Sequence, residues 1–148
     1  MDLQLRAVRR RDVDRLVGLL EQLGYPTTGA DVHERLDYLL DEPSIRLIGA
    51  DDGGELVGVA ALGVLPMLEV TGRLGRVLAL VVDERYRSLG VGQALVAAAE
   101  EQARAAGCVK MEITSSRDRT RTQLFYQQLG YTDICTASAR FVKPLTEA

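Results

Sequence analysis

The stretch Ala79 to Val96, ALVVDERYRSLGVGQALV, decides how this chain is read. Apolar Leu80 with β-branched Val81 and Val82 predicts a strand. A short polar connector follows. Arg87-Ser88-Leu89-Gly90-Val91-Gly92 then opens an Ala-rich helix. Glycines at the mouth of a helix leave backbone N–H groups bare where the helix dipole is positive, and that pairing grips a phosphate or pyrophosphate. A side chain at Gly90 or Gly92 would hold the ligand off the backbone. Spacing separates the families that share this logic. A dinucleotide fingerprint needs G-x-G-x-x-G almost directly after its strand. Here Asp83 to Leu89 intervene, and Leu95 stands at the third glycine position. A Walker loop needs Gly-Lys-Ser/Thr, whereas Gly92 is followed by Gln93 and Ala94.

Outward from this stretch, 148 residues suit a single domain, 1–148, with one sizeable core. A hydrophobic fraction of 47% and a charged fraction of 26% fit a globular protein, and no apolar run reaches membrane-spanning length. The N-terminus carries charge where a signal peptide would need apolar residues. Net charge is −3, which does not favour nucleic acid as a partner. Arg9, Arg10 and Arg11 read as solvated charge, and Arg117, Arg119 and Arg121 lie nearer the candidate ligand loop. Cys108, Cys135 and the single histidine, His33, supply neither a disulfide framework nor a metal site. His33 falls in a surface helix far in sequence from both cysteines, so a histidine-based nucleophile is not expected. A reduced, cytoplasmic setting is the expectation.

Periodicity predicts strands at Leu3–Val8, Ile45–Ala50, Leu56–Leu65, Leu74–Val82, Val109–Thr114, Tyr131–Cys135 and Ala139–Val142. Asp51-Asp52-Gly53-Gly54 signals a hairpin between the second and third. Helices are predicted after a cap at Asp12, over Ala30–Leu40, over Val91–Ala106 and over Thr120–Leu129. On the third helix, Ala94, Leu95, Ala98 and Ala99 form a narrow face suited to close packing on a sheet. The order β-α-α-β-β-β-α-β-α-β-β implies an α/β (α+β) mixed sheet with helices on both faces.

A strand ending in V-V-D-E-R-Y, then R-x-x-G-x-G, resembles the acyl-coenzyme A signature of the GNAT superfamily of N-acetyltransferases. Leu124-Phe125-Tyr126-Gln127-Gln128-Leu129-Gly130-Tyr131 is similar to the family's FYxxLGY/F segment. The element order is also the family's, so the resemblance spans nearly the whole chain and is strongest from Leu80 to Tyr131. It implies an enzyme that transfers an acetyl group from acetyl-coenzyme A to a primary amine of a small molecule or protein by direct attack. The alternative on the same fold is a noncatalytic acyl-coenzyme A-binding or regulatory module. It further implies that Leu80, Val81 and Val82 offer backbone groups to the pantetheine and thioester. Ser88, Leu89, Gly90, Val91, Gly92 and Gln93 would cradle the pyrophosphate, with Arg87 adding charge. Tyr126 would be the general acid toward the departing thiolate.

Two departures from the family pattern stand out. Arg119 occupies the spacing where many relatives carry a cofactor-contacting asparagine, and the segment Ser115 to Arg121 is longer than usual. Leu78, Ala79 and Leu80 offer no carboxylate where relatives often place a glutamate. Glu112 and Glu69 remain as base candidates, beside a water relay with no dedicated base. The acceptor pocket is expected between Gly24–Gly29, the second helix and the Leu65–Gly72 connection, lined by Tyr25, Met67 and Glu69. Glu69 would attract a cationic amine. Relatives also form homodimers through terminal strands, which leaves a homodimer open here.

Overall fold

The computed structural model describes residues 1–114, 120–135 and 137–146. The chain divides into two compact units, 1–114 and 115–148. The first holds a five-stranded sheet in the order β1 (Leu3–Ala7), β2 (Ile45–Asp52), β3 (Glu55–Pro66), β4 (Arg73–Val82) and β5 (Cys108–Ile113). Neighbours from β1 to β4 are antiparallel, and β4 with β5 is parallel. Helices α1 (Val13–Leu23) and α2 (Gly29–Leu39) precede β2, and α3 (Val91–Ala105) crosses from β4 to β5. The β2–β3 turn places Gly53 and Gly54 at φ 61° and 99°, the left-handed pair that suits a two-residue hairpin.

Two apolar clusters cover the two faces of the sheet. Leu16, Leu19, Val32 and Leu36 of α1 and α2 meet Leu56, Val59 and Val81. Val91, Leu95 and Ala99 of α3 meet Ile48, Ala50, Val57 and Ala60. The buried stripe of α3 runs through Val91, Leu95, Val96, Ala99 and Ala103, with Ala94 and Ala98 only partly covered, so it is rotated from the expected Ala94–Ala99 face.

Two register shifts shape the sheet. Ala50 pairs with Gly58 and Asp51 with Leu56, so Val57 is an extra residue in β3. An extra residue puts two successive side chains on one face. Val57 packs in the α3 cluster, and a Cβ on Gly58 would also meet α3, 3.1 Å from Leu95 Cδ1 and 3.3 Å from Val91 Cγ1. Ala61 pairs with Ala79 and Leu62 with Val77, so Leu78 is the extra residue in β4. Pairing of β4 with β5 extends only to Val77 opposite Ile113. Beyond the bulge, β4 pairs with β3 alone among the described residues.

Buried carboxylates pin the ends of these strands. Arg6 on β1 forms a two-pronged pair with Asp12 at 2.8 and 2.9 Å and reaches Asp51 on β2 at 2.7 Å. Asp12 is thereby diverted from the expected cap of α1. Its Oδ2 accepts the Arg9 N–H instead, closing a single tight turn over Arg10–Asp12. Asp83, 2% exposed, follows β4 and accepts from Arg15 of α1 at 2.7 Å and from the Arg85 N–H at 2.9 Å. Its own N–H donates to the Val57 carbonyl, at the β3 bulge.

In the second unit, α4 (Thr120–Gln128) ends at Gly130, φ 96°. The strands expected at Tyr131–Cys135 and Ala139–Val142 are not formed among the described residues. The N–H groups of Ala137 and Ser138 both turn back to the Ile134 carbonyl. Ile134, Phe141 and Val142 are exposed, so the β-branched and aromatic composition that suggests strands has no ladder partner to make them so.

The bond to the Arg85 guanidinium, against the opposing effect of burial, holds the Asp83 carboxyl well below the ordinary carboxylate range, with the Arg85 N–H and Arg15 assisting. The folded state therefore binds this proton more weakly than the unfolded chain. The resulting stabilisation is complete above about pH 4 and is lost as pH falls below it. Arg15 and Arg85 can turn partly to water when the carboxylate is removed. Asp83→Asn is thus expected to cost about 1–3 kcal/mol at pH 7, the range for a lost charge-assisted bond. Denaturant titrations at several pH values should show a flatter acid limb in the variant than in the wild type.

Candidate acyl-transfer site

The bulge at Leu78 and the mouth of α3 together frame the candidate site. The Val81 carbonyl within β4 and the Asp83 N–H just after it point toward β3. Alternation then turns the backbone groups of Leu80 and Val82 to the opposite edge, where β5 no longer pairs. Arg87 Nε lies 3.4 Å from the Val82 carbonyl, on that edge. Val81 itself is spent on β3 and on the α1–α2 cluster. Of the three expected strand residues, Leu80 and Val82 present the open edge and Val81 does not.

After Val82, one tight turn at Glu84–Tyr86 leads into the loop. The Tyr86 hydroxyl donates to Asp52 at 2.8 Å and anchors the turn to the end of β2. Ser88 (φ 63°) and Gly90 (φ 87°) both adopt left-handed backbone, and Gly90 is the residue at the helix mouth. A non-glycine residue held there is uncommon, and such conformations cluster at ligand sites. The first helical bond of α3 runs from the Ala94 N–H to the Gly90 carbonyl. The N–H groups of Val91, Gly92 and Gln93 therefore lie ahead of the helical ladder, at the positive end of the dipole. Arg87, Ser88, Leu89 and Gly90 are exposed, so the loop is open to a ligand. A strand edge with unpaired amide groups and a bare helix mouth fit an extended ligand that bears amides at one end and a pyrophosphate at the other.

On the α1–α2 face of the same strand is a cleft of ≈540 Å³, lined by Leu20, Leu23, Gly24, Tyr25, Pro26, Arg35, Leu78 and Ala79. The bulge turns both Leu78 and Ala79 toward it. Tyr25 belongs to this lining as expected, while Met67 and Glu69 do not. Glu69 is an exposed residue on the β3–β4 connection. Glu112 sits opposite Arg76 in the β4–β5 register and receives its guanidinium at 2.9 Å. His33 lies on exposed α2 surface beside Arg10.

Tyr126 is half-buried on α4, its ring 5.4 Å from Phe125 and edge-on to Tyr131 at 6.2 Å. Arg121 is an exposed residue of the same helix, and Arg117 and Arg119 fall outside the described residues. Two further residues stand out only in the folded chain. Asp83 was legible only as a connector residue, although an acid directly after a buried strand is a signal for an anchored turn. Arg35 carried no motif at all.

The family model described as Acetyltransferase (GNAT) family matches residues 13–131. Over 135 residues the chain is 30% identical to a glucosamine 6-phosphate N-acetyltransferase of Trypanosoma brucei brucei, covering 88% of this chain and 90% of that one. It is also 30% identical, over 152 residues, to an aminoalkylphosphonate N-acetyltransferase of Salmonella typhimurium, covering 96% and 91%. Its fold superposes on a GNAT family acetyltransferase of Staphylococcus aureus with a TM-score of 0.82 at 23% identity, covering 98% and 100% of the two chains. The chain belongs to the GNAT acetyltransferase family, whose reaction is N-acetyl transfer with acetyl-coenzyme A as cosubstrate. Among the described residues, no helix is long and apolar enough to cross a membrane.

A Cβ on Gly90 would meet nothing within 4 Å, so the constraint there is φ alone. Gly90→Ala is expected to cost about 1–2 kcal/mol, the left-handed penalty of an L-residue. Calorimetry should show a melting temperature lower by roughly 2–8 °C at this chain length.

Proposed function

We propose that this protein acetylates the primary amine of a small molecule by direct transfer from acetyl-coenzyme A, with Tyr126 as general acid. The observation that carries the reading is the coincidence on β4 of an open amide edge at Leu80 and Val82 and an apolar cleft floor at Leu78 and Ala79, adjacent along the strand. Acetyl-coenzyme A supplies the activated acetyl thioester. The backbone groups of Leu80 and Val82 bind the pantetheine arm, and an N–H on that edge stabilises the oxyanion that develops on the thioester carbonyl. Ser88 to Gln93 hold the pyrophosphate, with Arg87 adding positive charge beside it. The cleft holds the acceptor, and Tyr126 gives its proton to the departing thiolate. The names of the two relatives, each for a small phosphorus-bearing amine, support a small-molecule acceptor over a protein.

The proton of the acceptor ammonium leaves to solvent in this reading. Glu112 is engaged by Arg76, and Glu69 lies outside the cleft lining, so neither is placed as a free base beside the acceptor. An amine can shed its proton unaided where the site disfavours the ammonium.

Three outcomes test this reading. Tyr126→Phe removes only the hydroxyl and should lower the chemical step roughly 100- to 10,000-fold, about 3–5 kcal/mol of barrier, with acetyl-coenzyme A affinity little changed. A variant within about threefold of wild type rejects the acid role. Gly90→Glu adds bulk and negative charge at the helix mouth. It should weaken acetyl-coenzyme A binding by calorimetry at least tenfold, well beyond any effect of Gly90→Ala. For the base, the pH–rate profiles of Glu112→Gln and Glu69→Gln should keep the acidic limb of the wild type, since that limb reports the acceptor amine. Loss of the limb in either variant identifies that carboxylate as the base.

A further inference from the structure

Among the described residues, Arg35 is the only charged one lining the α1–α2 cleft, and none of them forms an ion pair with it. The other partly buried arginines are all engaged. Arg6 pairs with Asp12 and Asp51, Arg15 with Asp83, Arg76 with Glu112, and Arg46 donates to the Pro43 carbonyl. The arginines that lack a side-chain partner, such as Arg9, Arg11 and Arg104, are exposed and solvated. Asp31, one turn earlier on α2, forms no ion pair with Arg35, and Asp37 is taken by Arg10. A guanidinium held partly out of water with no counter-charge is costly unless a partner arrives.

We infer that Arg35 binds an oxyanion of the acceptor, so that the cleft selects small primary amines carrying a carboxylate, phosphonate or phosphate. This rests on the reading of the cleft as the acceptor site. The guanidinium presents a planar fork that matches any of these oxyanions with two parallel bonds. Leu20, Leu23, Pro26, Leu78 and Ala79 give the rest of the lining an apolar surface for the carbon skeleton between anion and amine. The same charge also serves the chemistry. The acceptor's own anion would stabilise its ammonium form, and pairing that anion with Arg35 removes the stabilisation, releasing the proton more readily. A polycationic acceptor is disfavoured by the same field.

Matched acceptors test this. Rates with glucosamine 6-phosphate against glucosamine, 2-aminoethylphosphonate against ethylamine, and β-alanine against ethylamine give three ratios of kcat/KM, anionic over neutral. Wild type should favour the anionic member in at least one pair by roughly 10- to 100-fold, the scale of one charge-assisted bidentate contact. The favoured pair tells phosphate ester, phosphonate and carboxylate apart. Arg35→Met should collapse that ratio to near one, and Arg35→Lys, which keeps charge without the fork, should fall between. Ethylphosphonate carries the anion and no amine, so its binding, followed by phosphorus NMR, reads the subsite without turnover. Broadening in wild type that is lost in Arg35→Met supports the subsite even if every amine proves inert, an outcome that would overturn the acetyl-transfer reading alone. Ratios near one in wild type, or ratios and ethylphosphonate binding unchanged in Arg35→Met, overturn the assignment of Arg35 while leaving acetyl transfer intact.

Discussion

One extra residue in β4 controls the geometry of this protein. At Leu78 the strand gains a residue against β3, and there its pairing with β5 stops. A bulge bends its strand and raises its local twist, so the partner on one side can follow and the partner on the other cannot. The consequences diverge across the strand. Leu80 and Val82 face the edge that β5 leaves unpaired among the described residues, while Leu78 and Ala79 are turned together toward the cleft. Were the ladder regular, alternation would send only one of these two side chains toward the cleft.

The open strand must be held in place by something other than its missing neighbour. Asp83 does much of that work. It draws together Arg15 of α1, the Arg85 turn and, through its own N–H, the β3 bulge at Val57. The carboxylate is buried but fully engaged, which is the condition under which a buried charge is tolerated. The path from sheet to helix mouth is thus fixed at both ends, by Asp83 at its start and by the α3 packing of Val91 and Leu95 at its finish. Between them the chain passes through left-handed Ser88 and Gly90. Close approach of α3 depends on Gly58, where any side chain would press on Leu95, Val91 and the Val81 carbonyl.

Much of this was legible in the chain. Apolar periodicity located the elements of residues 1–114 within a residue or two, because each buries one face and the pattern records which. Gly90 and Gly92 at a helix start pointed to a phosphate grip from the glycine spacing alone. The cleft was legible in the span Gly24–Gly29, which supplies Gly24, Tyr25 and Pro26, and in the second helix, which supplies Arg35. Glu69 was drawn in by chain proximity and charge, and the sheet carries it elsewhere. The C-terminal strands show the opposite failure. Their composition favours extended chain, yet a strand is defined by its neighbour, and the described residues there turn on Ile134 instead.

The sequence by itself determined the order of elements over residues 1–114 and the glycines ahead of α3, because these rest on local periodicity and on spacing along the chain, and its motifs carried the resemblance to the family. Tertiary structure alone decided the bulges, the diversion of Asp12 to Arg6 and, among the described residues, the open edge of β4 and the lack of an ion pair at Arg35. Register depends on pairing with another strand, and whether a charge is neutralised depends on which groups arrive beside it. Both are properties of neighbours brought together by folding, such as Arg6 and Asp51 or Asp83 and Arg15, and no reading of one segment at a time contains them.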